Sequence, residues 1–304
     1  MSQSSARRST NARRVLVIGA TGQVGRELIQ ELDRRPEPLE VVDASRSHPD
    51  PARQVRLERP ETIEDLVVAM APDHVILAAA ETNVAWCEEH PEDSWRINVL
   101  GAEATAIAAG RVGSSFTFIS TDYVFDGIRG PYGEDEATNP LNIYGAHKLA
   151  AETAVLAADP TNLVIRTCQV FGLDPRRINF VVRVADQLRR EERVEVAGDL
   201  FGTPTYAPDL ARALVDLTLS GRGDIWHVAG ESFLSRYELA KMVAAAFGFE
   251  GGRVVEVSAD QMDDSVTRPR LAGLRCERLA AASLSVTRPI TESLEDLAAM
   301  DTGR

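Results

Sequence analysis

Tyr144 and Lys148 lie four residues apart in the segment NIYGAHKLAAE, a spacing that could support proton transfer. If the segment is helical, both side chains lie on the same face. An ammonium group near a phenol favours the phenolate, so we expect Lys148 to lower the pKa of Tyr144 from its usual value of about 10. Tyr144 could then donate and accept a proton near neutral pH. A lone Tyr-x-x-x-Lys pair is also common as a packing tyrosine and a solvated lysine, so it needs support from other motifs.

A glycine-rich loop far upstream supplies that support. GATGQVG, residues 19–25, follows an apolar segment and precedes a helical pattern, as a dinucleotide-binding loop requires. Gly19 would allow the tight turn, Gly22 the approach of backbone to a pyrophosphate, and Gly25 the packing of helix on sheet. Backbone N–H groups at the helix start would bind the phosphates. The predicted cofactor contacts in this loop are Gly19, Thr21, Gly22, Gln23, Val24 and Gly25.

The second predicted strand, residues 39–45, ends where the adenosine ribose of a dinucleotide would lie. Asp43 could accept a hydrogen bond from a free 2′-hydroxyl, which favours NAD(H). Arg46, next to Ser45 just past the strand, could pair with a 2′-phosphate, which favours NADP(H). We expect NADP(H) to be preferred and leave NAD(H) open, the alternative for Arg46 being a solvated loop arginine.

The segment after the third predicted strand is small and apolar, and a polar residue follows it on a helix. Ala78, Ala79 and Ala80 could let the nicotinamide half of the cofactor lie close to the sheet edge. Asn98, amid apolar helix positions, could support a buried water or a backbone carbonyl near the site. Strand packing and a solvated helix position are the alternatives for these residues.

Thr121 ends a predicted strand at its carboxyl edge, where doubly wound sheets bind ligands. Its hydroxyl could donate to a substrate carbonyl oxygen while Tyr144 protonates that oxygen. Lys148 could also hydrogen-bond the nicotinamide ribose. Since the cofactor supplies the hydride, the protein would supply position and a proton, and the predicted chemistry is carbonyl reduction.

Composition and charge exclude several classes of function. The chain has 304 residues, 44% of them hydrophobic and 26% charged, with a net charge of −13, which indicates a folded protein without nucleic acid as its main partner. No apolar run approaches the ~20 residues that a membrane span needs, and the N-terminus lacks the apolar core of a secretory signal. Three widely spaced cysteines suit a reducing cytoplasm, and neither they nor the scattered histidines have metal-ligand spacing.

Strand and helix patterns alternate from residue 14 onward, which predicts an α/β fold with a doubly wound, Rossmann-type parallel sheet. We predict a mobile arm over residues 1–13. The dinucleotide-binding domain would comprise residues 14–171 and 199–230. A smaller, interleaved C-terminal substrate lobe would comprise residues 172–198 and 231–304.

Four segments, GATGQVG, STDYVFDG, YGAHKLAAE and GTPTYAPDLA, occur in this order. Together they resemble the extended short-chain dehydrogenase/reductase superfamily and, more narrowly, the dTDP-4-dehydrorhamnose reductase family, over about residues 14–297. The resemblance implies Thr121, Tyr144 and Lys148 as catalytic residues and a dTDP-sugar held between the lobes. The substrate contacts expected on this basis are Thr82, Asp122, Tyr123, Phe125, Gln169, Asn179, Phe180 and Arg268.

The chain departs from this family pattern at two positions. Gln169 stands in RTCQVFG where the family often has tryptophan near the hexose. Arg56 stands where the family often has an acidic residue close to the adenine. An amide in place of a flat apolar wall should change which sugar fits, so the substrate could be another 4-keto-6-deoxyhexose nucleotide.

The predicted function is the NADPH-dependent reduction of the 4-keto group of a nucleotide-linked sugar. Two alternatives remain open. One is a non-catalytic, NADP-binding regulatory subunit that resembles the methionine adenosyltransferase β subunit. The other is a sugar-nucleotide epimerase, which retains its cofactor and needs no external reductant. The sequence also leaves open whether the chain forms a homodimer.

Overall fold

The computed structural model describes residues 12–262, 266–284 and 287–301. Residues 1–11 of the predicted arm lie outside this range, and Arg13 already belongs to the first strand. The strands are β1 Arg13–Ile18, β2 Leu39–Ala44, β3 His74–Leu77, β4 Ser115–Thr121, β5 Leu163–Thr167, β6 Val170–Phe171, β7 Val194–Ala197, β8 Phe201–Gly202, β9 Thr205–Tyr206, β10 Asp224–His227, β11 Leu234–Ser235 and β12 Val254–Val257. The α-helices are α1 Gln23–Asp33, α2 Pro60–Met70, α3 Val84–Glu89, α4 Pro91–Trp95, α5 Gly101–Val112, α6 Ile143–Ala158, α7 Phe180–Arg189, α8 Ala207–Leu219, α9 Arg236–Ala246, α10 Glu277–Ala281 and α11 Ile290–Met300.

Six strands form the central sheet in the order β10-β5-β4-β3-β1-β2, and every neighbouring pair is parallel. The predicted doubly wound parallel sheet is therefore confirmed. The strand order reverses beside β1, whose neighbours are β2 on one side and β3 on the other. In such sheets a crevice opens outside the carboxyl ends of the strands at this reversal, and it is the usual place for a ligand.

The sheet is covered on both faces because its strands are apolar at consecutive positions. In β1, Leu16 and Ile18 pack into one cluster with α2, α5 and α6, whereas Val15 and Val17 pack into a second cluster with α1 and α8. All four side chains are fully buried. This sandwich of helices fixes the carboxyl edge of the sheet, at which the chemistry-bearing residues lie.

A third apolar cluster lies among α7, α9 and α11 and the paired strands β7 and β12. Its buried members include Val182, Leu188, Leu239 and Leu297. Helix α9 begins with a capping box, in which Ser235 and Glu238 each bond the other's backbone N–H. The division into two domains at the boundaries given above stays a prediction.

Three local features differ from the predicted elements. β3 ends at Leu77, so the following alanines leave the strand. The alanine-rich sequence of residues 94–110 predicts one long helix, but a π-helical turn at Arg96–Leu100 interrupts it. The apolar sequence of residues 162–172 predicts one strand, but it is broken into β5 and β6 because Gln169 takes a left-handed backbone with φ of 43°. Within the described residues no helix is both long and apolar enough to cross a membrane.

Candidate active site

A cavity of about 600 Å³ opens at the carboxyl edge of the sheet and extends to residues of the C-terminal region. It brings together most residues that the sequence singled out. Those lining it are Gly19, Thr21, Gly22, Gln23, Val24, Ser45, Arg46, Ala78, Ala79, Ala80, Thr82, Thr121, Asp122, Tyr123, Tyr144, Lys148, Gln169, Asn179 and Arg268. The predicted residues outside the lining are Gly25, Asp43, Asn98, Phe125 and Phe180.

The glycine-rich loop is tightly folded against the end of β3. Gly19 has a φ of 98°, and a Cβ there would lie 2.5 Å from the backbone nitrogen of Ala79. A Cβ on Gly25 would lie 2.2 Å from the carbonyl oxygen of Gly19. Gly25 therefore holds α1 close to the strand without touching the cavity, which is the packing role that its position predicts.

The N-terminus of α1 is open to an anion. Its N-cap, Gly22, makes no side-chain capping bond, and the first turn contains no acidic residue. Its first N–H groups therefore lack intrahelical partners and favour negative charge at this end. The side-chain amide nitrogen of Gln23, the first residue of α1, is buried and has no hydrogen-bond partner among the described residues. A phosphate group fits these donors, since it would satisfy both.

The end of β2 separates the two candidate ribose contacts. Arg46 lines the cavity, is 65% exposed at its side chain and lies 3.8 Å from the carboxylate of Glu58. The hydroxyl of Ser45 is buried, has no hydrogen-bond partner within the described part of the chain, and belongs to a residue that also lines the cavity. Asp43 instead pairs with Arg53 at 2.8 Å and with His48 at 3.1 Å. Its carboxylate is thus already occupied and outside the lining, so Arg46 and Ser45 are the groups available to a ribose or its phosphate.

Asn98 holds the loop after β3 rather than facing the cavity. Its side-chain amide donates to the carbonyl oxygen of Glu81 and accepts from the N–H of Glu81, both at 3.0 Å. It is only 2% exposed and lies in the π-helical turn. The alternative of a backbone-supporting asparagine is therefore the one observed, and Asn98 fixes the loop that carries Ala78–Ala80 into the lining.

Thr121, Tyr144 and Lys148 meet at the carboxyl end of β4. Helix α6 begins with Asn142 as N-cap, whose side chain accepts from Gly145 N at 2.9 Å, and this cap sets the start of the turn that carries Tyr144. Tyr144 is 8% exposed and lines the cavity together with Thr121. Lys148 is 2% exposed and lies one turn further along the same helix.

Lys148 does not lower the pKa of Tyr144 as expected. Burial raises the pKa of Tyr144 above its usual value, and the hydrogen bond from Thr121 offsets this only in part. Burial also lowers the pKa of Lys148 to about 7, against the opposing charge of Glu152. The expectation was wrong because desolvation, which penalises both charged forms, outweighs the attraction between an ammonium and a phenolate. Tyr144 is thus held as a neutral phenol, the form that donates a proton.

Asp122 and Tyr123 follow Thr121 directly in a short 3₁₀ turn. Asp122 is 2% exposed and bonded to Thr121, Cys168 and the backbone of Gly273. The Tyr123 ring packs edge-on against Tyr144, with ring centres 5.8 Å apart. The guanidinium of Arg268 donates to the Tyr123 hydroxyl at 3.2 Å. The C-terminal segment thereby contacts the turn that follows β4.

Gln169 lines the cavity at the break between β5 and β6. Its left-handed backbone is unusual for a residue other than glycine or asparagine. A Cβ on Gly202 would lie 2.3 Å from the Gln169 amide nitrogen, so the side chain rests directly on that glycine. Asn179 is the N-cap of α7 and donates from its amide to the carbonyl oxygen of Gly172 at 3.0 Å.

Two predicted aromatic contacts lie elsewhere. Phe125 is fully buried and stacks on Tyr132 with ring centres 4.3 Å apart, so its placement beside a substrate is corrected to a core role. The sequence could not separate the two roles, because STDYVFDG places it only three residues after Asp122. Phe180 packs with the third cluster, and the guanidinium of Arg236 lies 4.9 Å from its ring centre.

Two groups of lining residues were not predicted from the sequence. Ser120 lies next to the end of β4 and Thr167 ends the neighbouring parallel strand β5, and neither buried hydroxyl has a hydrogen-bond partner among the described residues. The carboxyl-edge rule that selected Thr121 would also have found them. Arg176 and Arg236 carry positive charge into the lining. Arginines scattered in a chain with 33 lysines and arginines give no local signal, so these two required the fold.

Arginines from the C-terminal half lie close together at this wall. The pKa of the neighbouring Arg183 is lowered, first by loss of solvation and then by the positive charges of Arg236 and Arg268. Within the described ranges Arg236 forms no ion pair, whereas Arg176 lies 3.5 Å from Asp174. Over the same ranges no group of three or more His, Cys, Asp or Glu residues could hold a metal ion. The wall is therefore suited to an anion rather than to a cation.

Comparison with known proteins agrees with this arrangement. Residues 13–302 match the family model described as the RmlD substrate binding domain. The chain is 33% identical to a dTDP-4-dehydrorhamnose reductase of Mycolicibacterium smegmatis, over 98% of this chain and 89% of that protein. It is 31% identical to the methionine adenosyltransferase 2 subunit beta of Danio rerio, over 94% of this chain and 90% of that protein.

A solved structure agrees as well. The dTDP-4-dehydrorhamnose reductase of Bacillus anthracis, in complex with NADP, superimposes with a TM-score of 0.88 at 28% identity, covering 95% of this chain and 99% of that one. The match of sequence and fold extends over nearly the whole chain. The resemblance predicted from its four motifs is thereby confirmed, and the chain belongs to the RmlD substrate binding domain family.

Proposed function

We propose that this protein uses NADPH to reduce the 4-keto group of a nucleotide-linked 4-keto-6-deoxyhexose, with a dTDP-sugar as the first choice. One observation carries the proposal. A single cavity has a phosphate-binding helix start at one end, Thr121, Tyr144 and Lys148 at the sheet edge, and arginines on the wall formed by the C-terminal half. Relatives named dTDP-4-dehydrorhamnose reductase support it.

The residues present fit a bound dinucleotide. The open start of α1 and the buried Gln23 amide would hold its pyrophosphate, and Ser45 and Arg46 its ribose end. Lys148 would hold the nicotinamide ribose, and Ala78–Ala80 would lie against the ring. When bound, NADPH supplies the hydride. The preference for NADPH follows from the largely exposed Arg46, whose contact with Glu58 is a loose 3.8 Å, and from the occupied Asp43, and the solved relative in complex with NADP agrees with it.

The catalytic side chains would act on the ketone oxygen. Tyr144, a neutral phenol, would donate a proton to that oxygen as the alcohol forms, and Thr121 would hydrogen-bond the same atom. Lys148 would position the cofactor and favour the phenolate that Tyr144 leaves behind whenever its ammonium is charged. Burial of all three side chains excludes water from the reacting atoms.

The nucleotide part of the substrate would lie against the wall of Arg176, Arg236 and Arg268. The negative charge of a diphosphate would complement these guanidinium groups, and each guanidinium can donate two parallel hydrogen bonds to phosphate oxygens. Asp122, Tyr123, Gln169 and Thr82 would surround the hexose, and Asn179 would lie near the nucleotide. Phe180 would contribute only by supporting Arg236.

The function is tested by mixing the purified protein with NADPH and a panel of 4-keto-6-deoxy nucleotide sugars. We expect stoichiometric NADPH oxidation with at least one sugar and an alcohol product visible by NMR. Tyr144→Phe is the matched control, since it removes only the donated proton. Absence of turnover with every sugar would contradict the proposal. A product epimerised without net NADPH consumption would instead indicate an epimerase.

A second candidate is a non-catalytic subunit that binds NADP and a partner enzyme, as the 31% identity to a methionine adenosyltransferase 2 subunit beta suggests. The complete set of Thr121, Tyr144 and Lys148 favours catalysis. Co-purification from the native host decides between the two, because a regulatory subunit would elute with a partner enzyme and leave NADPH unoxidised.

We also infer a homodimer and a cytoplasmic location. Trp95, Leu100 and Ile107 are 42%, 36% and 42% exposed along the run from α4 to α5, an apolar face that a second copy could cover. Cys87, Cys168 and Cys276 are free thiols, which suits a reducing compartment. Light scattering of the wild type and of Ile107→Glu tests the first inference, and cell fractionation tests the second.

A further inference from the structure

The carboxyl group of Asp122 is buried directly beside the catalytic threonine. One oxygen, Oδ2, accepts from the thiol of Cys168 at 2.9 Å and from the N–H of Gly273 at 3.3 Å. Burial and the nearby carboxyl raise the pKa of the Cys168 thiol, so it keeps its proton and remains a donor. The other oxygen, Oδ1, lies 3.2 Å from the hydroxyl oxygen of Thr121.

The hydrogen-bond capacity of Thr121 limits what that contact can be. A threonine hydroxyl has one hydrogen to donate and two lone pairs that accept. The N–H of Tyr123 donates to the Thr121 oxygen at 3.2 Å and occupies one lone pair. If Asp122 were ionised, Thr121 would have to donate its only hydrogen to Oδ1. It could then donate neither to Tyr144 nor to a substrate carbonyl oxygen.

A hydrogen on Oδ1 resolves this conflict. Asp122 would then donate to the second lone pair of Thr121, and the single hydrogen of Thr121 would point away from both donors. Tyr144 and Thr121 line the same cavity, so the phenol and a substrate carbonyl oxygen are the acceptors that this hydrogen would meet there. In this arrangement Asp122, Thr121 and the acceptor form one chain with a single direction.

We propose that Asp122 carries a proton at neutral pH and donates a hydrogen bond to Thr121, which leaves the single hydrogen of the Thr121 hydroxyl free to bond either Tyr144 or the substrate carbonyl oxygen. Asp122 acts through Thr121 and is therefore a positioning residue. Its effect on turnover rests on the proposed reduction, whereas its protonation state does not.

The surroundings of Asp122 support a neutral carboxyl. Its hydrogen-bond partners, the Thr121 hydroxyl, the Cys168 thiol and the N–H of Gly273, are all uncharged groups. Burial raises its pKa, and the hydrogen bonds that it accepts offset part of this. Of the cations that approach this region, Arg166 forms a two-bond pair with Glu152 at 2.9 and 2.7 Å, and Arg268 donates to the Tyr123 hydroxyl.

The direct test is infrared spectroscopy of the purified protein, which separates the carbonyl stretch of a protonated carboxylic acid from carboxylate bands. We expect a protonated-acid band at pH 7 that shifts in D₂O and is absent from Asp122→Asn. Asp126→Asn is the matched control, because Asp126 bonds Tyr132 and has a lowered pKa, so its removal should leave the band. No such band in the wild type until acidic pH would overturn the proposal, whether or not the protein reduces a sugar.

The second test compares kinetics of Asp122→Asn and Asp122→Leu. An asparagine copies the neutral acid, since its NH₂ can donate to Thr121 while its oxygen accepts from Cys168 and Gly273. We expect kcat of the asparagine variant to exceed that of the leucine variant at least tenfold, with similar NADPH affinity. The wild-type rate should also fall as Asp122 ionises at alkaline pH, and the asparagine variant should lack that part of the profile. Equal losses and parallel pH profiles would contradict the proposal.

Discussion

The ammonium of Lys148 donates to the carbonyl oxygen of Ile119 at 2.6 Å, across the gap between α6 and β4. It also lies 3.9 Å from the centre of the Phe118 ring. A lysine in this position is held by one carbonyl and an aromatic face rather than by a carboxylate. Burial therefore lowers the pKa of Lys148 to about 7, which makes its charge sensitive to pH in the working range.

This predicts how folding stability depends on pH. An unfolded lysine keeps its proton to about pH 10, whereas Lys148 releases it near pH 7, so the unfolded state binds more protons between these values and stability rises with pH. Between pH 7 and pH 10, we expect the free energy of unfolding of the wild type to rise by on the order of 2–4 kcal/mol relative to that of Lys148→Met. This follows from about 1.4 kcal/mol for each pKa unit between the folded and the unfolded lysine. Urea unfolding at several pH values measures this. Parallel curves for the two proteins would show that Lys148 is not desolvated as described.

Tyr144→Phe should keep the fold and NADPH affinity but lose most turnover. The phenylalanine fills the same buried site and lacks only the hydroxyl that would protonate the ketone oxygen. General acids typically contribute ~10²–10⁴-fold to rate, and we expect kcat to fall within that range. Steady-state kinetics and NADPH titration check both parts. A kcat within threefold of the wild type would remove Tyr144 from the mechanism.

Arg46→Ala should weaken binding of NADPH much more than binding of NADH. A hydrogen bond to a charged group is worth about 1.5–3 kcal/mol, so the preference should fall roughly ten- to hundredfold. Arg56→Ala is the control, because Arg56 also lies near Glu58, at 3.6 Å, but does not line the cavity. Fluorescence titration with both cofactors measures the ratio. An equal loss for the two cofactors would show that Arg46 does not contact the 2′-phosphate.

Gln169→Trp should shift kcat/KM toward dTDP-4-dehydrorhamnose relative to the sugar that the wild type prefers. The amide lies in the lining, where it can donate to and accept from a sugar hydroxyl, whereas tryptophan offers an apolar wall. Loss of such a matched polar contact discriminates more strongly than the ~1–3 kcal/mol of an apolar contact. Both substrates are compared with both proteins. The same ratio for the two proteins would show that position 169 does not select the sugar.

Gly25→Ala should abolish cofactor binding or destabilise the fold. Its Cβ would lie 2.2 Å from the carbonyl oxygen of Gly19, so α1 must move off the sheet. Gly110→Ala is the control, because an added Cβ at Gly110 in α5 would have no neighbour within 4 Å among the described residues beyond the backbone of its own helix. That variant should gain about 0.4–1 kcal/mol in stability. Thermal unfolding with and without NADPH measures both effects, and an unaffected Gly25→Ala would contradict the tight packing.

The sequence was sufficient for features that depend on local pattern. Apolar runs such as residues 14–20 and 162–172 predicted the parallel sheet, and the spacing of Tyr144 and Lys148 predicted their shared helix face. The break at Gln169 was not predictable, because no glycine or asparagine marks its left-handed backbone.

Features that depend on burial could not be predicted from the sequence either. Nothing local distinguishes Asn98 bonding the backbone of Glu81 from a solvated asparagine. The pKa of Lys148 depends on how far helix α6 buries its ammonium, which spacing alone does not give. The same holds for Phe125, whose core position depends on Tyr132 stacking against it.

The arginines of the cavity wall have a kinetic consequence. The chain carries a net charge of −13, yet Arg176, Arg236 and Arg268 meet at one opening. We expect the net charge to repel an anionic ligand at long range and these arginines to attract it at the opening, so that a local field steers its encounters. Added salt should slow its association more than its chemical conversion, because the Debye length shrinks to about 10 Å at 0.1 M and uncouples distant charges from the approach.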